Sequence, residues 1–91
     1  MKAINIVGKR WQDRNGNTYF SSAISVDNDV VHTIDYQYGY DQQYFHSSWD
    51  WLVENGYIPG FEKHDAPWRW AEQNDVVLYY SASDVKSKKD L

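Results

Sequence analysis

The sequence predicts an α+β domain: a four-stranded antiparallel sheet in the order β-β-β-α-α-β, with the helices packed on one face. Three observations carry this. Apolar residues alternate with period two over the first 38 positions, then change to a period near 3.6 after Gly39. Turn dipeptides and tripeptides punctuate the alternating part. A β-branched and aromatic run returns at Val76. The 91 residues allow one domain, placed at 1–83, with 84–91 as a polar extension or tail.

The first strand is Ala3 to Trp11, with Ile4 and Ile6 on one face and Asn5, Val7 and Lys9 on the other. Gly8 inside it marks a bulge or a close backbone approach. Asp13-Arg14-Asn15-Gly16-Asn17 is a hairpin turn, because Asn-Gly supplies positive φ. The second strand is Thr18 to Val26. Phe20, Ile24 and Val26 share a face with Ser22 as a small gap, and Tyr19, Ser21, Ala23 and Ser25 take the other. Asp27-Asn28-Asp29 turns the chain. The third strand, Val30 to Tyr38, sets Val30, His32, Ile34, Tyr36 and Tyr38 on one face.

Phe45, Ser48, Trp49, Leu52 and Val53 then form a helical stripe that predicts a helix from Gln42 to Asn55. Asp41 is its expected N-cap, and Gly56 with Pro59 its stop. Gly60 to Ala66 is a loop. Asp65 is the expected cap of a short second helix through Gln73, with Pro67 in its first turn. Val76 to Ser83 is expected as a fairly buried fourth strand, placed beside the first. The polar end, Asp84 to Leu91, is either an edge extension or a loose tail.

Composition narrows the function classes. The chain has no Cys, which removes a disulfide scaffold, a thiolate zinc site and a cysteine nucleophile, and it fits a reducing cytosol. No apolar run follows Met1–Ile6, so no signal peptide is expected, and no membrane span is expected either. A net charge of −4 argues against a generic duplex-DNA binder. His46 and Asp50 sit four apart on the predicted helix, and Glu62, His64 and Asp65 cluster in a loop. Neither makes a metal site, and no metal or other cofactor is expected. Ser47 and Ser48 adjoin His46 but face different directions, so no nucleophile is oriented. No nucleophile elbow or phosphate-cradling Gly-rich loop occurs. The chain is therefore expected not to be an enzyme.

The aromatic content, 18% of residues, is the informative feature. Tyr36 and Tyr38 are expected to wall the core under the helix. Five Trp exceed what a core this small can hold, and exposed Trp, Tyr and Arg dominate binding hot spots. The candidate protein-binding residues are Trp11, Tyr19, Tyr40, Tyr44, Trp51, Trp68, Arg69 and Trp70. A second candidate set, for a nucleotide or single-stranded nucleic acid, is Arg10, Trp11, Tyr19, Lys86, Lys88 and Lys89. These meet at one end of the sheet if the fourth strand runs parallel beside the first, and phosphate plus an aromatic platform is how single strands are held. Either free sheet edge also permits a symmetric homodimer.

Taken together, Gly8-Lys9-Arg10-Trp11, Asn15-Gly16-Asn17-Thr18-Tyr19, Tyr38-Gly39-Tyr40 with Gln43-Tyr44, Trp51-Leu52 with Glu54-Asn55-Gly56-Tyr57, and Lys88-Lys89-Asp90-Leu91 resemble a family of small bacteriophage and prophage proteins without assigned chemistry. The resemblance covers nearly the whole chain. It implies a phage accessory gene product in the bacterial host cytoplasm, and it carries over no catalytic residue. Small acidic phage proteins of this kind are often inhibitors of host defence, such as anti-CRISPR proteins or sequestrators of immune signalling nucleotides. The expected partner is accordingly a host protein, with a nucleotide or single-stranded nucleic acid as the alternative.

Overall fold

A computed structural model describes all residues, 1–91, as β1 (Ala3–Gln12), β2 (Thr18–Val26), β3 (Asp29–Tyr38), α1 (Gln43–Glu54), α2 (Pro67–Gln73), β4 (Val77–Asp84) and a closing 3₁₀ turn (Lys88–Asp90). The four strands form one sheet in the order β3-β2-β1-β4. β1, β2 and β3 are an antiparallel meander, and β4 lies beside β1 as expected. The sheet is nevertheless mixed rather than antiparallel, because β4 runs parallel to β1. The helical segment that follows β3 returns the chain to the end where β1 begins, so β4 has to run in β1's direction.

Both helices sit on the face formed by Ile4, Ile6, Phe20, Ile24 and Ile34. From α1, Phe45, Trp49 and Leu52 meet this face; Ile58, Trp70, Ala71 and Val76 close the end of the core. Ile4, Ile6 and Ile24 are wholly buried. Each such side chain contributes about 1.5–3 kcal/mol of transfer free energy. Gly8 is the close approach its position suggests: a Cβ there would lie 2.5 Å from the Tyr44 ring. The other sheet face carries no helix.

The turns differ in detail from their expected forms. The β1–β2 connection spans Asp13–Asn17, and only Gly16 takes positive φ. The Asp13 carboxylate accepts the Asn15 and Asn17 amides, both at 2.9 Å, and so organises the loop from inside. Asp27 and Asn28 both have positive φ and form the two-residue β2–β3 turn that matches strand twist. Asp41 is not the N-cap of α1. It sits in the left-handed region at φ 58°, and Gln42 holds the cap position without a side-chain bond. Asp65 does not cap α2 either. Pro67 is its first residue and forces the preceding position to be extended, so Ala66 becomes the N-cap and Asp65 falls outside the helix.

Two irregularities in β3 alter its faces. Between the pairs Phe20↔Gln37 and Ser22↔Ile34, β3 spends three steps against two in β2. Between Ile24↔His32 and Ser25↔Val30 it spends two against one. Each extra residue reverses the alternation. Tyr36 and Tyr38 consequently lie on the open face with Tyr19, not on the face of Ile34 under the helix. Val30 also turns to the open side, while His32 stays on the helix side against Trp51. The fourth strand, expected to be buried, is an exposed edge. Leu78 and Ala82 are half-buried toward the helices, and Val77, Tyr79 and Tyr80 are exposed.

The polar end is neither a simple extension nor loose. Val85 donates one more ladder bond to Arg10, after which the chain turns onto the open face. Ser87 bonds to the Asp90 carboxylate, Lys88 sits 4.5 Å over the Tyr36 ring, and Leu91 lies beside Val7 and Ala23.

Candidate functional site

The open face places Trp11 of β1, Tyr19 of β2 and Tyr36 of β3 in a row across three strands. Register dictates this: Trp11 pairs with Tyr19, Tyr19 with Tyr38, and the bulge brings Tyr36 round beside them. The Trp11 and Tyr19 rings stack at 5.8 Å, the Tyr19 and Tyr36 rings at 4.8 Å, and Tyr38 stands edge-on to Tyr19 at 5.5 Å. Desolvation among these rings, then the neighbouring Tyr36, raises the Tyr19 phenol above its ordinary pKa of 10. Tyr36 and Tyr38 remain 42% and 63% exposed, so the row ends in an open aromatic surface. Beside it a groove of about 250 Å³ is floored by small residues, Ser21, Ala23 and Thr33, with Lys9, Asp35 and Leu91 at its rim.

On the helix side of the same end lies a polar cleft of about 440 Å³ lined by Arg10, Gln12, Thr18, Tyr40, Asp41 and Asp84. Arg10 belongs to this cleft. Its Nη1 donates to the Asp41 carbonyl at 3.1 Å, and its Nε lies 3.3 Å from the Asp84 carboxylate. Adjacent strand residues point to opposite faces, so Arg10 and Trp11 cannot serve one ligand on one face.

The expected protein-binding set therefore divides. Trp11 and Tyr19 are on the open face. Tyr40 is exposed in the β3–α1 connection, and Trp68 and Arg69 are exposed on α2. Tyr44 and Trp70 are core residues and are corrected as such. Burial raises the Tyr44 phenol's pKa, against the opposing pull of Arg10. Trp70 spends its indole N–H on the Pro59 carbonyl at 2.9 Å. Trp51 is half-buried, stacked on His32 at 4.3 Å and on Tyr57 at 5.7 Å. It is a clamp between α1 and β3, not a free ring. Of the nucleotide set, Trp11, Tyr19 and Lys88 come together through Tyr36; Lys86 and Lys89 are exposed on the same returning segment, and Arg10 is separated.

Tyr36 and Tyr38 were missed as site residues because strict alternation buries them. No Gly or Pro marks the bulge that turns them outward.

His46 and Asp50 are both exposed and form no ion pair. His64 lies 3.4 Å from Glu62 and 3.9 Å from Asp65, at the surface. No group of three His, Asp or Glu side chains has the geometry to hold a metal ion. No helix is long and apolar enough to cross a membrane. No family model, curated protein or solved structure matches the chain.

Proposed function

We propose that this protein is a non-catalytic binding module that occupies a host protein through the aromatic end of its open sheet face. The observation supporting this is the Trp11–Tyr19–Tyr36 row, over which no helix packs, with the exposed Tyr38 beside it. Rigid stacked aromatics lose little conformational entropy when buried by a partner, which is why such residues anchor interfaces. In the phage setting that the sequence resemblance implies, occupation of this kind inhibits a host factor, with a defence effector as the class of target. The test compares tagged wild type with Trp11→Ala and Tyr38→Ala in pull-downs from bacterial lysate. One stoichiometric protein, captured by wild type and lost with either variant, is expected. Capture that survives both variants overturns the assignment of the site.

A second reading, a nucleotide or single-stranded nucleic-acid binder, is favoured by one observation. Six of the nine Lys and Arg residues lie at the first hairpin end or on the tail that folds back toward it: Lys9, Arg10, Arg14, Lys86, Lys88 and Lys89. Lys88 already rests on a ring of the row. Binding of oligothymidylate or a mononucleotide that falls steeply with salt supports this reading. Absent or salt-independent binding removes it.

A further inference from the structure

The two edges of the sheet are built differently. The β3 edge carries two bulges and the charges Asp29 and Asp35, the devices that discourage strand addition. The β4 edge carries no bulge, and no charge before its last residue, Asp84. Its pairing with β1 runs without a break from Ala3↔Val77 to Arg10↔Asp84, and Val77–Ser83 contains no charge and no Pro. The Val77 amide donates to Lys2 and the Val85 amide to Arg10, so the odd-numbered amides of β4 point inward. Alternation then turns the N–H and C=O groups of Leu78, Tyr80 and Ala82 outward, with no strand to receive them.

We propose that this edge is a self-pairing surface on which a second copy of the chain docks, β4 against β4, antiparallel about a two-fold axis at Tyr80. The argument is the order of side-chain sizes. Val77-Leu78-Tyr79 precedes Tyr80, and Ser81-Ala82-Ser83 follows it. A two-fold axis at Tyr80 sets Tyr79 opposite Ser81, Leu78 opposite Ala82 and Val77 opposite Ser83, a large residue against a small one at every flanking position. The same register brings the outward groups into hydrogen-bonded pairs: Tyr80 with its own copy, and Leu78 with Ala82 on both sides. Moving the axis to Ser81 sets the Asp84 carboxylate against Leu78. Moving it to Tyr79 sets Leu78 against Tyr80 and Tyr79 against itself. Only the axis at Tyr80 sets a large residue against a small one at each flanking position of Val77–Ser83 and keeps Asp84 from facing an apolar residue of β4, its counterpart being Val76, just before the strand begins.

The large side chains at the seam are exposed in the single chain: Val77 by 51%, Tyr79 by 67% and Tyr80 by 42%. Tyr80 is held from behind by Phe45 at 4.6 Å, so it is positioned before a partner arrives. The pairing is isologous and closes on itself. The eight-stranded product ends in the bulged β3 edge on both sides, so addition stops at two.

The test is light scattering and sedimentation of the untagged chain from about 1 µM to about 500 µM, a range that brackets micromolar affinity. A concentration-dependent doubling of the 10.8 kDa mass is expected. Ala82→Pro removes one outward N–H and leaves the bonds to β1 intact; it is expected to raise the dimer dissociation constant at least about tenfold, with an unchanged circular dichroism spectrum. Ser81→Lys places a charge opposite Tyr79 and is expected to do the same should the proline variant misfold. Leu78, Tyr80 and Ala82 amides are expected to gain hydrogen-exchange protection as concentration rises. A mass that stays at one chain across the range overturns the proposal, as does a dimer that both folded variants leave unchanged. A chain that stays monomeric but shows those three amides protected by an unrelated strand-forming peptide places a different occupant on the edge, and equally overturns it.

Discussion

Ser48 joins α1 to the sheet through hydroxyl chemistry alone. It donates to the Tyr44 carbonyl at 2.7 Å, and the buried Ser22 hydroxyl lies 2.7 Å from it. With its proton committed to Tyr44, Ser48 accepts from Ser22. Ser48→Ala strands the Ser22 donor in the core and is expected to lower stability by about 1–3 kcal/mol in urea unfolding. Ser22→Ala/Ser48→Ala removes both partners and should fall nearer to wild type than the single change. Asp27 ties the N-terminal end of β1 in a different way. Its carboxylate accepts the Lys2 and Ala3 amides at 2.6 and 2.9 Å, and these bonds hold its pKa below the ordinary 3.8. A depressed folded pKa gives stability that is fully present above pH 3.8 and is lost as pH falls through the folded value. Thermal melts at descending pH should show this loss, and Asp27→Asn should flatten it. The sequence is uneven at this scale. Gly8 announces a close approach by being a glycine inside a strand, and Tyr44 provides it. Ser22 shows only as a gap among apolar neighbours. Its partner is 26 residues away, and nothing local connects them.

Both helices end in the same device. After α1, Tyr57 donates to Leu52 and Gly56 to Val53; after α2, Val76 donates to Ala71 and Asp75 to Glu72. This is the double bond of the Schellman motif, and it needs a left-handed residue past the cap. Gly56 meets that need without penalty at φ 80°, whereas Asp75 takes it at φ 55° with a side chain. Asp75→Gly should therefore raise stability by about 1 kcal/mol, visible as a higher urea midpoint with the same slope. The first stop was legible because Asn-Gly and a following Pro name it; the second only as a position, since Asp reveals no φ. The N-termini were less legible. Asp41 and Asp65 are the residue types that cap helices, but Pro67 and the left-handed turn at Asp41 move the caps by one position. β3 is where element-scale reading failed most. A bulge has no composition of its own here, so alternation assigned Tyr36 and Tyr38 to the core, and with them half of the open aromatic surface was hidden.

At the scale of the whole chain, β1 is the organising strand: it pairs with β2 on one side and with the last strand on the other. Alternation and turn chemistry determine the meander, because neighbours in sequence are neighbours in space. They do not determine the direction of β4, which depends on where two helices and a loop deliver the chain. The mixed sheet follows from that delivery, and it divides the molecule kinetically. The β1–β2–β3 contacts close short turns, while Ile4↔Leu78 closes a loop of more than seventy residues. Loop closure must be met before distant contacts contribute, so the β1–β4 pairing is expected to form after the rate-limiting step of folding. Ile24→Ala, in the centre of the meander, should then slow folding. Leu78→Ala on β4 should leave the folding rate near wild type and speed unfolding. Stopped-flow chevrons at submicromolar protein, below the concentrations at which the proposed β4 pairing is tested, separate the two cases. A Leu78→Ala variant that slows folding as much as Ile24→Ala would place the parallel pair inside the nucleus and make the sheet assemble as one unit.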